Sequence, residues 1–223
     1  MDRRKYLTLT SSIAVTSLAG CTDNQSTENT SNEGTITDSR SPLVTNISSR
    51  PSITSEGSKY SIIAVDDPSC PYCARFKKDT YPKIKSNLID TGKLDYYWLF
   101  VPLIKEWSQK GVLTLENVYS EYGTEPTLDV LTAYFNNQDK ITTDNVDSQT
   151  ESILQDTPDV DADSIMNAVN NSRNMSRINE TIDSIRNAGV SSTPTFGVFE
   201  GEQLITEVSG AQSYQTFKSL LNE

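Results

Sequence analysis

The chain has 223 residues, 19 lysines and arginines against 30 aspartates and glutamates, no histidine and three cysteines. That length supports one sizeable core, and three cysteines exclude a small scaffold stapled by disulfides. The missing histidine removes Ser-His-Asp and Cys-His chemistry and every histidine-ligated metal or haem, and the formal charge of −11 repels nucleic-acid phosphates.

The first residues read as a targeting segment. Arg3, Arg4 and Lys5 precede an uncharged run over residues 8–20, too short and too weakly apolar for a spanning helix. Arg3-Arg4 followed by Tyr6-Leu7 resembles a twin-arginine export signal, the kind that carries folded cargo outward. Leu18-Ala19-Gly20-Cys21 resembles a lipobox, which would make Cys21 the lipid-bearing first residue of the mature protein. A free or buried thiol beside an ordinary cleavage site is the alternative. Residues 22–59 are rich in Ser, Thr, Asn, Asp and Glu and read as a disordered tether with a reach of roughly 35 Å. Within it only residues 43–47 suit a short edge strand. Residues 1–20 are thus an export signal, 21–59 a lipidated cysteine and tether, and 60–223 the folded domain.

From residue 60 the pattern alternates between strands and helices. Residues 60–65 form a β-branched run bounded by Asp66-Asp67-Pro68, which predicts a buried strand. Phe76, Tyr81, Ile84 and Leu88 have helical spacing, and the pattern stops near Thr91-Gly92. Residues 94–101 are aromatic and apolar enough for a central strand, completing a βαβ unit. Residues 105–171 read as three or four short helices broken at Gly123, Pro126, Thr142-Thr143 and Pro158. Residues 172–187 make a longer helix, with Met175, Ile178, Ile182 and Ile185 on one face. Residues 195–199 and 203–208 flank Glu200-Gly201-Glu202 as a hairpin, and 214–221 form a last amphipathic helix.

The chemistry sits at Cys70-Pro71-Tyr72-Cys73. Two thiols spaced by two residues at the start of a helix lie on one turn, close enough to bridge. The helix dipole and free amide groups favour an anion at Cys70, so Cys70 is expected to be acidic and accessible. Pro71 suits the first helical position, where no N–H is needed. Cys73, one turn deeper, is the resolving thiol. The same spacing serves as half of a zinc site, but the chain offers neither a second thiol pair nor a histidine, so no metal is expected. A purely structural pair is the remaining alternative.

At these residues the chain resembles the thioredoxin superfamily, and within it the DsbA-like thiol–disulfide oxidoreductases. Residues 67–76 are similar to that branch's active-site stretch, and Ser192-Thr193-Pro194-Thr195-Phe196 to its cis-proline segment. The helical residues 105–171 match the insertion that separates the branch from thioredoxin and glutaredoxin. The resemblance implies an α/β thioredoxin fold, a central mixed sheet flanked by helices, over residues 60–222. It implies that Cys70 attacks, that Cys73 resolves, and that Thr193-Pro194 is a cis peptide beside them, with Cys70–Cys73 as the redox-active disulfide and no other cofactor. Without the family, Thr193-Pro194 reads as a trans proline opening an edge strand.

Two departures from the family matter. A buried carboxylate six residues before the first cysteine often manages protons in this superfamily, but that position is Ala64. Asp66 and Asp67 are candidate substitutes, or they merely end the strand. Tyr72 stands where strongly oxidising relatives carry histidine, so Cys70 is expected to be less acidic and the disulfide less oxidising. Tyr72 and Phe196 are candidate substrate-binding residues together with the Thr193 backbone; ordinary solvent-facing and core roles are the alternatives for the two rings.

The export signal places the domain outside the cytoplasm, held by the Cys21 lipid at the outer face of the cytoplasmic membrane. There a dithiol protein donates its disulfide to exported proteins and is reoxidised by a quinone-coupled membrane partner. A reductase fed by a membrane thiol carrier is the second reading, and a redox-inactive binding module the third. No dimerisation segment is visible, so a monomer is expected. Acidic excess, few lysines and the export signal suggest a salt-loving prokaryote of haloarchaeal type.

Overall fold

The computed structural model describes residues 41–223. The export signal, the lipobox at Cys21 and residues 22–40 of the expected tether lie outside the described residues. Five strands form one mixed sheet: β1 (Ser52–Ile53), β2 (Tyr60–Asp66), β3 (Leu94–Phe100), β4 (Thr195–Glu200) and β5 (Gln203–Ser209). Their spatial order is β1-β3-β2-β4-β5. β2 and β3 run parallel in register from Tyr60 opposite Leu94 to Asp66 opposite Phe100, while the other pairings are antiparallel.

β2 and β3 are buried along their whole length because both faces of the sheet are covered, which explains their nearly continuous apolar runs. Strand alternation sends Ile62, Ala64, Tyr96, Trp98, Phe196 and Val198 into a larger core. The neighbouring Ile63, Val65, Tyr97, Leu99 and Phe199 enter a smaller one on the other face. The larger core continues into α1 (Pro71–Asp79), α2 (Tyr81–Ile84) and α8 (Tyr214–Leu220), and into the inserted helices α3 (Ser108–Tyr122), α4 (Thr124–Asn137), α5 (Val146–Gln155) and α6 (Ala162–Asn170). The smaller core is closed by α7 (Met175–Asn187) through Ile185 and by Leu43, Val44 and Ile47.

The fold therefore begins before residue 60. Residues 43–47 are not the expected edge strand: Pro42–Val44 and Ile47–Ser49 are two 3-10 turns whose three apolar side chains seal the smaller core. Ser41 caps the first turn through its hydroxyl, and Asn46 takes a left-handed conformation between the two. A Cβ on Gly197 would stand 2.9 Å from Leu43 Cδ1, so glycine there lets this lead-in lie against β4. The edge strand is instead Ser52–Ile53, paired with Tyr97 and Tyr96.

Three further boundaries differ from the sequence expectation. The helix after Cys70 breaks at Thr80 and restarts as α2, because Pro82 has no N–H and its ring crowds the preceding turn; it then loosens into a π turn at Lys85–Ile89. The first two inserted helices are long rather than short, with 15 and 14 residues. Pro126 falls in the first turn of α4, where no intrahelical partner exists for its missing N–H, so Gly123 at φ 80° is the sole break between them. α7 starts at Met175, because Ser172 and Asn174 adopt positive φ.

Candidate active site

β2 ends at Asp66, and a three-residue turn, Asp67-Pro68-Ser69, delivers Cys70 to the N-cap of α1. The Cys70 N–H donates to Asp67 O at 2.9 Å, and Pro71 takes the first helical position. The Cys73 N–H, one of the orphan amides of the helix start, donates to Cys70 Sγ at 3.3 Å. Cys70 Sγ also donates to Thr193 O at 3.2 Å, and the Thr193–Pro194 peptide is cis, as the resemblance implies. Both cysteines are free thiols. Cys70 is covered, at 1% exposed, contrary to the accessible sulfur expected from the sequence, whereas Tyr72 beside it is 56% exposed.

The two thiols have opposite acidities. Hydrogen bonding from the Cys73 thiol is the largest influence on Cys70 and brings it down to about 7, against burial; the Thr193 side chain and the backbone amides of Cys73 and Tyr72 act in the same direction. Burial pushes Cys73 well above its ordinary value, and its bond to Cys70 and the nearby Asp66 carboxylate add to that. One sulfur is thus held ready to ionise while its neighbour keeps its proton. The S–H···O bond to Thr193 exists only while Cys70 is protonated, so ionisation itself loosens that cover.

Asp66 and Asp67 have different environments. Asp66 is 5% exposed, and its Oδ1 is buried without a hydrogen-bond partner. Burial pushes Asp66 up to about 6, while the Cys73 thiol and Lys77 pull it down. Lys77, one turn beyond Cys73 on α1, is itself brought down to about 8 by burial. Asp66 is therefore a carboxyl group beside Cys73 that gains and loses a proton near neutrality.

Asp67, the other candidate, is engaged on both oxygens. Its Oδ1 accepts from Ser69 N, Ser69 Oγ and Ser108 Oγ, each at 2.7 Å. Its Oδ2 accepts from Leu103 N at 2.7 Å and Ile104 N at 2.8 Å. Five donors occupy the carboxylate, which fastens the cysteine turn to the β3–α3 loop and to the start of α3.

Phe196 takes the core role given as its alternative. It is fully buried and packs on Phe76 with ring centroids 4.4 Å apart and on Phe217 at 5.1 Å. It follows Thr195 at the start of β4, and strand alternation turns it toward the helices. The exposed apolar surface near the thiols comes from Tyr72 and from Leu103 and Ile104, which Asp67 holds in place. Leu103 also lines a groove with Ile182, Ile185, Val190 and Ser191.

Sequence reasoning missed Ser69, Ser108, Leu103, Ile104, Lys77 and Gln138. Lys77 was detectable, because a residue four beyond Cys73 on a helix shares its face. No local signal marks the others. Among the described residues no cluster of three metal-ligating side chains occurs, and no helix is long and apolar enough to cross a membrane.

The buried Asp66 carboxylate has a thermodynamic consequence. Between pH 3.8 and about 6 the folded chain holds a proton that the unfolded chain has released, so this group lowers stability as pH rises through that window. Above it the cost is about 3 kcal/mol. Asp66→Asn is therefore expected to raise the urea midpoint at pH 7, with little gain near pH 4, and to slow reactions that deprotonate Cys73. Urea melts at the two pH values check the sign.

Residues 48–223 match the thioredoxin family model. No curated protein sequence matches the chain. Among solved structures, oxidised BdbD from Bacillus subtilis superposes with a TM-score of 0.70 at 19% identity, over 79% of this chain and 92% of that one. DsbA from Chlamydia trachomatis gives 0.65 at 18% identity, over 78% and 90%. A double cysteine-to-alanine variant of alpha-DsbA1 from Wolbachia pipientis gives 0.69 at 20% identity, over 81% and 92%. The chain belongs to the thioredoxin family, on the fold of the DsbA-like thiol–disulfide oxidoreductases.

Proposed function

We propose that this chain is an extracytoplasmic, lipid-anchored dithiol oxidase that passes a Cys70–Cys73 disulfide to exported proteins. The observation that carries the reading is the unequal pair itself: Cys70 down to about 7 and Cys73 pushed well up, bridged by a donor bond to Cys70 Sγ.

In the oxidised protein a client thiolate attacks Cys70 Sγ, the Cys70–Cys73 bond breaks, and Cys73 leaves with the electron pair and takes a proton, for which Asp66 is the adjacent carboxyl donor. A second client thiolate then attacks the client sulfur of the mixed disulfide. Cys70 leaves as the thiolate that Cys73 N–H and the Cys73 thiol stabilise. The client loses two electrons, and the protein gains them as a dithiol. A quinone-coupled membrane partner removes them again, and the lipid on Cys21 keeps the domain within its reach. Tyr72, Leu103 and Ile104 offer an apolar landing surface for unfolded clients.

One observation favours a second reading. A Cys70 near 7 sits where thioredoxin's nucleophile does, at about 7, rather than where that of a strong oxidant does, at about 3.5. That suits a reductase supplied by a membrane thiol carrier. Redox titration against glutathione and dithiothreitol decides between them: a potential near or above about −180 mV supports the oxidase, and one near about −270 mV supports the reductase.

A further inference from the structure

The helical insertion reaches into the cysteine turn through one side chain. Gln138, the C-cap residue of α4, is buried at 7% exposed. Its Nε2 donates to Pro68 O at 2.9 Å and to Cys70 O at 3.0 Å. Two carbonyl acceptors require the amide nitrogen, with its two hydrogens, on that side. The Cys70 carbonyl also accepts the Ala74 N–H at 3.2 Å, the bond that opens α1.

Gln138 is itself held from the far side of the turn. Lys105 Nζ donates to Gln138 O at 3.3 Å, and the Lys105 N–H donates to Ser69 Oγ at 3.2 Å. Ser69 in turn donates to Asp67 and meets Ser108. Residues 67–70 are therefore gripped by the β3–α3 loop and the start of α3 on one side and by the end of α4 on the other. Nothing else among the described hydrogen bonds reaches Pro68 O.

We propose that Gln138 is a positioning residue for Cys70: its two bonds fix the carbonyl of Pro68 and that of the N-cap residue itself, so that the first-turn amides stay aimed at Cys70 Sγ. The inference rests on the reading of Cys70 as the nucleophile. It assigns to the inserted helices a part in setting the reactivity of a thiol 68 residues away in sequence. Without Gln138 the turn loses a donor to each of two carbonyls, the cap loosens, and Cys73 N–H no longer holds the thiolate at a fixed distance.

The test uses the full chain, with Gln138→Met, which keeps the length and removes both donors, and Gln138→Asn, which keeps the amide but is one methylene short of the two carbonyls. Iodoacetamide alkylation of the reduced proteins as a function of pH, all carrying Cys21→Ala so that no third thiol reacts, reads Cys70, and urea melts read folding. The expected result is an alkylation midpoint raised by about one pH unit in both variants, the tenfold that one lost hydrogen bond to a charged group represents. A lowered urea midpoint with an unmoved alkylation midpoint would show a merely structural bond and overturn the inference. If Gln138→Met does not fold, Gln138→Asn alone decides by the same criterion. A parent protein that alkylates like free cysteine would sink the functional reading instead, and that outcome is separate because it needs neither variant.

Discussion

Cys70→Ser is expected to reduce disulfide exchange with thiol clients to the uncatalysed background, a loss of more than about 10³. Serine keeps the N-cap and its bond from the residue 73 amide, so the fold survives, but its hydroxyl does not ionise near neutrality as a thiol at about 7 does. Cys73→Ser is expected to behave differently. Cys70 still attacks client disulfides and is still attacked in return, but no resolving sulfur stands one turn away, so mixed disulfides accumulate. Trapping these species from the native host and identifying them by mass spectrometry names the clients. Exported proteins among them favour the oxidase, and a membrane thiol carrier favours the reductase. Full function retained in Cys70→Ser would return the chain to the class of redox-inactive binding modules.

The second large effect is on stability, and it comes from the cluster that anchors the stretch composition assigned to a tether. Glu116 on α3 is 1% exposed and accepts from Arg177 Nε at 2.8 Å and from Arg50 Nη1 at 3.5 Å. Arg50 is 2% exposed, and burial is the largest influence lowering its guanidinium from the ordinary value, with Glu116 opposing it. Arg177 Nη2 also donates to Ser49 O, and Tyr119 Oη to Arg50 O. This charged cluster ties the lead-in to α3 and α7. Removing the shared carboxylate leaves the buried guanidinium of Arg50 without its counter-charge, and breaking a buried pair from one side costs about 3–5 kcal/mol. Glu116→Ala is therefore expected to lower the Tm by about 6–20 °C. Differential scanning calorimetry checks this. The pair is shielded from solvent, so the loss should persist at molar salt, where an exposed pair such as Lys59 with Glu200 contributes nothing measurable.

These two effects illustrate what a sequence discloses and what it withholds. Cys70, Cys73, the βαβ unit and the β4–β5 hairpin were legible because each is written locally, in a spacing or an alternation. The Thr193–Pro194 segment was legible only through its resemblance to a family, since a proline before a strand has many meanings. Asp66 and Asp67 are adjacent and chemically identical, and nothing local separates them. What does is three-dimensional: Ser108 and the amides of Leu103 and Ile104 converge on Asp67 from 36 to 41 residues away, while Asp66 faces the core beneath Cys73. Phe196 was misplaced because its position in the motif says nothing about which face of β4 it takes. Leu43, Val44 and Ile47 were underrated because they sit in a polar stretch and meet their core only through Ile185, Val190 and the far face of the sheet. Gln138 left no trace in the sequence, because its partners are backbone carbonyls 68 and 70 residues distant.

The chemistry of this molecule depends on two neighbouring thiols that ionise far apart. Ultraviolet absorbance near 240 nm of the reduced Cys21→Ala protein, followed from pH 4 to 9 so that neither a third thiol nor the tyrosines contribute, measures that separation directly. A single thiolate should form with a midpoint near 7, and no second one should follow within the ordinary cysteine range. Two thiolates appearing together at about 8.5, as free cysteines do, would refute the unequal pair.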